Sequence, residues 1–148
     1  MKDLLQFLSI LAATSPPVTA VVVSLQQALL TQTNRDCNGT VIGSPLTKTF
    51  GFVEIAHSGP SEIIAVPVLI GAAPNTAYNV RVIQIKDGQA VDCGSCTSGG
   101  GTLTTNNLGV GSAYIQQAVS PGATAAWVDL NEKDQCTNYY NIAPLPIV

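Results

Sequence analysis

The chain has 148 residues, 46 % of them hydrophobic and 10 % charged, with a net charge of −3. This length suits one domain with a core of its own. The charged share is far below the roughly 25 % usual for soluble domains, and Thr, Ser, Asn, Gln and Gly take its place. The basic residues Lys2, Arg35, Lys48, Arg81, Lys86 and Lys133 are scattered. They form no stripe that would neutralise phosphates, which excludes nucleic acid as a partner.

Residues 1–33 differ from the rest of the chain. Asp3 to Ala12 is apolar with helical spacing, and Thr14-Ser15-Pro16-Pro17 breaks it. A second apolar run from Val18 to Leu30 places Val18, Val21, Val22, Leu25, Leu29 and Leu30 near one helical face. Two short helices around a Pro-Pro joint fit this pattern, so residues 1–33 are expected to form an apolar helical segment. Three uses compete for it. One is an assembly arm that buries itself on a neighbouring copy, with Leu4, Leu5, Phe7, Leu8, Ile10, Leu11, Val22, Leu25 and Leu29 as the contacts. The second is a signal peptide cleaved near Ala20, against which the acidic Asp3 stands. The third is a membrane anchor, but a span needs about 20 consecutive apolar residues, and Ser15-Pro16-Pro17 and Gln26-Gln27 interrupt the run.

From Val41 onward the period becomes two, and residues 34–148 are expected to form one β domain. Lys48 to Ala56 reads as a strand. Glu62 to Ile70 follows, with Ile64, Val66, Val68 and Ile70 on one face and Pro67 marking an edge or a bulge. Tyr78 to Lys86 is the strongest strand pattern, and Asp87-Gly88 is a two-residue hairpin turn leading into Gln89 to Asp92. Gly101 to Thr105 and Val110 to Gln117 flank Asn106–Gly109, which predicts a second hairpin. Ala125 to Leu130 places Ala126, Val128 and Leu130 on one face and Trp127 on the other. Thr137 to Ala143 is the last strand. About eight short strands with turns between them, and no long helical pattern, predict a mainly β fold: an antiparallel β-sandwich of jelly-roll or Ig-like type with an N-terminal apolar helical arm.

The phrases Gly71–Val80, Gly101–Asn106 with Gly109-Val110-Gly111, and Pro121–Thr124 followed by Trp127–Leu130 carry a resemblance. They are similar to fibronectin-III-like and CHRD-like extracellular β-sandwich domains of bacteria, over about Phe50 to Asn131. The combination of arm, sandwich and cysteines also resembles subunits of bacterial or spore-surface appendages, on fewer features. The resemblance implies a fold and a location outside the cytoplasm, and no activity.

Four cysteines, Cys37, Cys93, Cys96 and Cys136, point to disulfides and an oxidising compartment. The simplest of the three pairings joins Cys37 to Cys136 and Cys93 to Cys96. Linkage between subunits is the alternative. Cys93-Gly94-Ser95-Cys96 is followed by Thr97-Ser98-Gly99-Gly100, where no helix begins to activate a thiol, so redox catalysis is disfavoured. The sole histidine, His57, has no second histidine with which to hold a metal, and no Gly-x-Ser-x-Gly elbow exists. Asn38-Gly39-Thr40 matches a glycosylation acceptor. Asp129, Asn131, Glu132 and Asp134 read as an acidic turn without the spacing of a calcium loop. Trp127, Tyr139 and Tyr140 are candidates for a sugar-binding face or for cross-strand packing. These readings predict no catalytic residues, metal or cofactor. The expected protein is a self-assembling structural one, extracellular or on a cell or spore surface, whose partner is itself. A secreted monomeric adhesion or carbohydrate-binding module, with residues 1–20 a signal peptide, is the alternative.

Overall fold

The computed structural model describes residues 23–58 and 61–147. They form β1 (Val23–Leu29), β2 (Gly51–Ser58), β3 (Glu62–Leu69), β4 (Ala77–Lys86), β5 (Gln89–Ala90), β6 (Gly101–Thr104), β7 (Gly111–Ser112), β8 (Ile115–Ala118), β9 (Ala125–Glu132), β10 (Gln135–Asn141) and β11 (Leu145–Pro146). Eight of these strands have four residues or more. There is no helix among the described residues.

Two antiparallel sheets result. The first has the order β1-β2-β3-β7, with β8 pairing β3 alongside β7. The second has the order β10-β9-β4-β5, with β6 on β4 and β11 on β9. One hydrophobic cluster joins them. Val53, Ile55, Ile63, Ala65 and Leu69 enter it from the first sheet; Tyr78, Val80, Leu103, Val128, Leu130 and Tyr140 enter from the second. Phe50 meets Tyr140 edge-on, with ring centroids 5.0 Å apart.

Several expectations need correction. The first is the helix over Val18–Leu30: its described part is strand β1, paired with β2 at seven positions from Val23↔Ser58 to Leu29↔Phe52. The i, i+4 spacing of Leu25 and Leu29 that reads as helical is also two strand steps, and the ladder satisfies the backbone groups of an extended chain. The remaining arm positions, Leu4, Leu5, Phe7, Leu8, Ile10, Leu11 and Val22, lie outside the described residues. A second correction concerns Asn106–Gly109. The turn exists, closed by Asn106 N–H to Val110 O at 2.8 Å. Yet β6 lies in the second sheet and β7 and β8 in the first, so the turn is a crossover between sheets. Two further corrections concern the disulfides and the acidic turn, described below with their surroundings.

Other expectations hold. Asp87 and Gly88 adopt φ of 52° and 76°, as a two-residue hairpin turn requires, and Lys86 pairs with Gln89. The edge or bulge expected at Pro67 is not found: β3 lies between β2 and the β7/β8 pair with an unshifted register, and Pro67 stands where the pairing passes from β8 to β7, so its missing N–H interrupts no ladder on that side. Its carbonyl still accepts Ala113 N–H at 3.2 Å.

Candidate functional site

The face of each sheet turned away from the shared core is where a function would reside, and the two faces differ. On the second sheet the register sets Asn79 beside Asn131, Arg81 beside Asp129 and Ile83 beside Trp127, and Asn141 beside Asp129. Alternation along a strand puts these on the side opposite Val80, Val128 and Leu130. Two loops roof this side. The segment 31–41 runs over Trp127, whose indole Nε1 donates to Cys37 O at 3.2 Å. A Cβ on Gly39, whose φ is +82°, would stand 2.6 Å from Pro144 Cγ and 3.2 Å from Trp127 Cδ1, so only glycine fits the roof there. The loop 91–100 closes over Asn79. Its Nδ2 donates to Ser95 O at 3.2 Å and Ser98 O at 3.3 Å, and its Oδ1 accepts Gly100 N–H at 3.1 Å.

Cysteine links clamp both loops, as Cys37–Cys93 and Cys96–Cys136, each with Cα atoms 5.7 Å apart. The expected pairing is therefore overturned. Cys93 and Cys96 are close in sequence, but they serve opposite ends of the roof. Cys93 reaches the 31–41 segment above Arg81, and Cys96 reaches the start of β10 above Asn131. Two disulfides mark an oxidising, extracellular-type environment.

Beneath the roof is a charge pair that sequence reasoning missed. Arg81 Nη2 donates to Asp129 Oδ2 at 2.6 Å and to Asn131 Oδ1 at 3.1 Å, and Arg81 Nη1 donates to Cys93 O at 2.7 Å. Arg35 Nε donates to Asn141 Oδ1 at 2.9 Å, and Asn141 Nδ2 to Thr33 O at 2.8 Å. Asp129 is 6 % exposed. Burial pushes its carboxyl above the ordinary carboxylate range, against the opposing pull of Arg81. The acidic turn is thus corrected: Asp129 and Asn131 are strand residues committed to Arg81, and the turn itself is Lys133-Asp134. No group of three or more His, Cys, Asp or Glu is placed to hold a metal among the described residues.

Most of the remaining candidates are absorbed by the fold, while Tyr139 on β10 stays half-buried. Trp127 is 2 % exposed, and Tyr140 packs edge-on against Phe50 and Tyr78, so neither offers a platform to a sugar. Asn38 Oδ1 accepts Ala90 N–H at 2.8 Å, which commits the acceptor triplet's amide to the roof. His57 lies on β2 at 1 % exposure, and neither ring nitrogen has a partner. Desolvation holds its pKa below the ordinary histidine value.

A cleft of about 600 Å³ opens where the β4 edge is uncovered between β5 and β6. Val80–Ile83, Gly99–Gly101 and Ile115–Gln117 line it, and Gln117 Nε2 donates to Val82 O at 3.0 Å.

On the first sheet the outward side carries two apolar rows with Gln27 and Glu54 between them, and no loop among the described residues roofs it. Leu25 and Leu29 on β1 are 63 % and 60 % exposed. Leu29 pairs with Phe52 and Phe52 with Val68; Leu25 pairs with Ala56 and Ala56 with Ile64. Phe52, Ile64, Val66 and Val68 are half-buried. The strands of this sheet carry Glu54 and Glu62 and no Lys or Arg. β1 is its edge among the described strands.

No protein-family model, curated protein or solved structure matches the chain. No helix among the described residues is long and apolar enough to cross a membrane.

Proposed function

We propose that this chain is a structural, self-assembling extracellular surface protein, a filament, appendage or coat subunit, that uses its N-terminal arm for subunit contacts. We read its two sheets as an antiparallel sandwich of jelly-roll or Ig-like type. One observation carries the proposal: the apolar run of residues 1–22 leads directly into β1, an edge strand whose Leu25 and Leu29 stand out in solvent. Exposed edges template pairing with other chains unless they are blunted by charge, proline or a cover. β1, with the sequence VSLQQAL, carries neither charge nor proline. The two disulfides support a location outside the cytoplasm. The absorption of His57, the cysteines and Asp129 into structural roles supports a non-enzymatic reading.

The test is deletion of residues 1–22, which leaves β1 intact, followed by sedimentation velocity and electron microscopy under non-reducing conditions. The full chain is expected to form multimers and the truncated chain to run as a monomer. Multimers of unchanged size after truncation overturn the proposal.

The cleft beside β4 favours a second reading, a secreted monomeric adhesion or carbohydrate-binding module with residues 1–20 a signal peptide. Its volume lies in the range of about 300–1,000 Å³ typical of ligand sites. Intact mass of the natively produced protein separates the two. Loss of the first twenty residues supports the module, and a full-length chain supports the assembly subunit.

A further inference from the structure

We propose that the cleft beside β4 binds a short extended peptide, which pairs with the backbone of Val82 as an added strand. The site depends on neither the N-terminal arm nor self-assembly, and its ligand class is peptide, not sugar.

Backbone direction singles out Val82. Thr105 N–H donates to Thr76 O in the same register as Tyr78↔Leu103 and Val80↔Gly101. Antiparallel pairing alternates, so the even residues of β4 turn their N–H and C=O groups toward β6 and β5. Val91 N–H to Gln84 O and the Lys86↔Gln89 pair follow the same rule at the far end. Lys133 N–H to Ala77 O puts the odd residues toward β9. Tyr78 and Val80 therefore meet β6, and Gln84 and Lys86 meet β5 and Val91. Val82 has no strand opposite it on that side. A side-chain amide stands in for half of the missing partner: Gln117 Nε2 donates to Val82 O at 3.0 Å. Next to it Gln84 Nε2 donates to Ala118 O at 2.8 Å, and Gln84 Oε1 accepts Ser120 N–H at 2.7 Å. The rims of the two sheets are thus tied by carboxamides, the group that a peptide carries in its main chain.

The chain holds this gap open. Continued in its own register, β5 would set Cys93 opposite Val82. Cys93 is instead linked to Cys37, and its carbonyl accepts Arg81 Nη1 at 2.7 Å. Cys96 is linked to Cys136, and Asn79 grips Ser95 O, Ser98 O and Gly100 N–H. A Cβ on Gly100 would collide with Val80 O, and one on Gly101 with Ile115, so that wall is bare backbone. A ligand meets a site already formed, which lowers the ordering cost of binding.

The lining selects the ligand. The gap faces Arg81, Val82 and Ile83, about 10 Å of extended chain. A residue paired with Val82 shares its face, where Ile115 packs, so an apolar β-branched side chain suits it. Its two neighbours turn to the loop side, beside Ser95 and Ser98, where small polar side chains fit. No aromatic ring lines the cleft to stack on a sugar. Arg81 is committed to Asp129, Asn131 and Cys93 O, whereas the carboxylate of Asp92 is exposed, which disfavours anionic ligands. Main-chain bonds supply affinity in such strand addition, and alternate side chains supply selectivity.

The experiment titrates the isotope-labelled full chain with Ac-Ser-Val-Ser-NH2, its N-methylvaline analogue and cellobiose, read by amide NMR shifts. The tripeptide is expected to shift the Val82 and Gly101 amides and the Gln117 side-chain amide. The N-methyl analogue, which cannot donate to Val82 O, is expected to bind at least about tenfold more weakly. Gln117→Ala removes the side chain that competes for Val82 O and is expected to tighten tripeptide binding about two- to tenfold. No shift up to about 10 mM tripeptide, or equal binding of the N-methyl analogue, overturns the proposal. Shifts caused by cellobiose alone overturn it too, and give the cleft to the sugar-binding reading. Unchanged or weaker binding by a folded Gln117→Ala chain overturns the pairing at Val82. If that variant does not fold, the two peptides on the parent chain decide. Deletion of residues 1–22 is expected to leave all these shifts in place, whatever it does to the multimers.

Discussion

The two sheets share one core and treat their other faces in opposite ways. The second sheet turns outward a row that includes Asn79, Arg81, Asp129, Asn131 and Trp127, then buries it under residues 31–41 and 91–100. The first turns outward Leu29, Phe52, Ile64, Val66 and Val68 and leaves them without cover from the described chain. The contrast inverts the usual expectation, in which polar residues face water and apolar ones are covered. It shows that outward polarity alone does not tell a solvated face from an occupied one. The Arg81–Asp129 pair is held by Asn131 on the same sheet and by Cys93 O in a loop that a disulfide clamps.

The roof is the part of this contrast most easily broken. Replacing Cys37 and Cys93 with alanine opens a link that spans 56 residues. By the chain-entropy account this costs about 4 kcal/mol. Opening Cys96–Cys136, which spans 40 residues, is expected to cost only about 0.3 kcal/mol less, since closure entropy grows slowly with loop length. Urea denaturation checks both values. Hydrogen exchange places the loss: amides of residues 91–100 and of β5 and β6 are expected to lose protection in the folded state, while those of β1, β2 and β3 keep theirs. Equal loss in both sheets would show that the roof is not specific to the second.

What was legible in the sequence follows the same division. The strands of both sheets are readable, because alternation and turn chemistry are local: the Asp87-Gly88 hairpin, Tyr78 to Lys86 and Ala125 to Leu130 all appear where expected. Which row of a strand faces the core is not local. On β3 the row Ile64, Val66, Val68 was legible as a face, but Ile63, Ala65, Pro67 and Leu69 form a second apolar row, and that one is buried. β1 reads equally as helix or strand until β2 is there to pair with it. The crossover at Asn106–Gly109 has hairpin chemistry at its turn, and only the destinations of β6 and β7 separate it from a hairpin. The disulfide pairing was misjudged because Cys93 and Cys96 are neighbours in the chain and not across the roof. The Arg81–Asp129 pair joins residues 48 apart. Its one local sign was an arginine inside a strong strand pattern, which a buried partner explains better than solvent does.

A smaller effect sits inside the first sheet. His57 is buried with both ring nitrogens unpartnered, and desolvation holds its folded pKa below the unfolded value of about 6.5. Between those two values the unfolded chain binds a proton that the folded chain refuses. Stability is therefore full above about pH 6.5 and falls as pH drops toward the folded pKa. The slope is worth about 1.4 kcal/mol for each unit of depression. His57→Leu is expected to flatten the stability profile between pH 7 and pH 5 relative to the parent. It should cost little at pH 7, because it removes two unsatisfied polar atoms from the interior. Parallel profiles for the two proteins would assign the acid sensitivity to other groups.

The smallest expected effect is the most discriminating, because it compares neighbouring residues on one strand. Ile63 is 0 % exposed and Ile64 is half-buried on the outward row. Ile63→Thr puts a hydroxyl into the shared core and deletes packed methyl groups, which is expected to cost about 2–4 kcal/mol. Ile64→Thr keeps the β-branch that suits a strand, and on an uncovered face it is expected to stay within about 0.5 kcal/mol of the parent. The measurement belongs in a dilute sample that sediments as a monomer, so that no neighbour contributes. If Ile64→Thr there costs as much as Ile63→Thr, the chain covers its own outward face, and the contrast between the sheets collapses. If Ile64→Thr is silent in the monomer yet weakens the multimer, the same side chain is surface in one state and core in the other. That is the behaviour an assembly face requires.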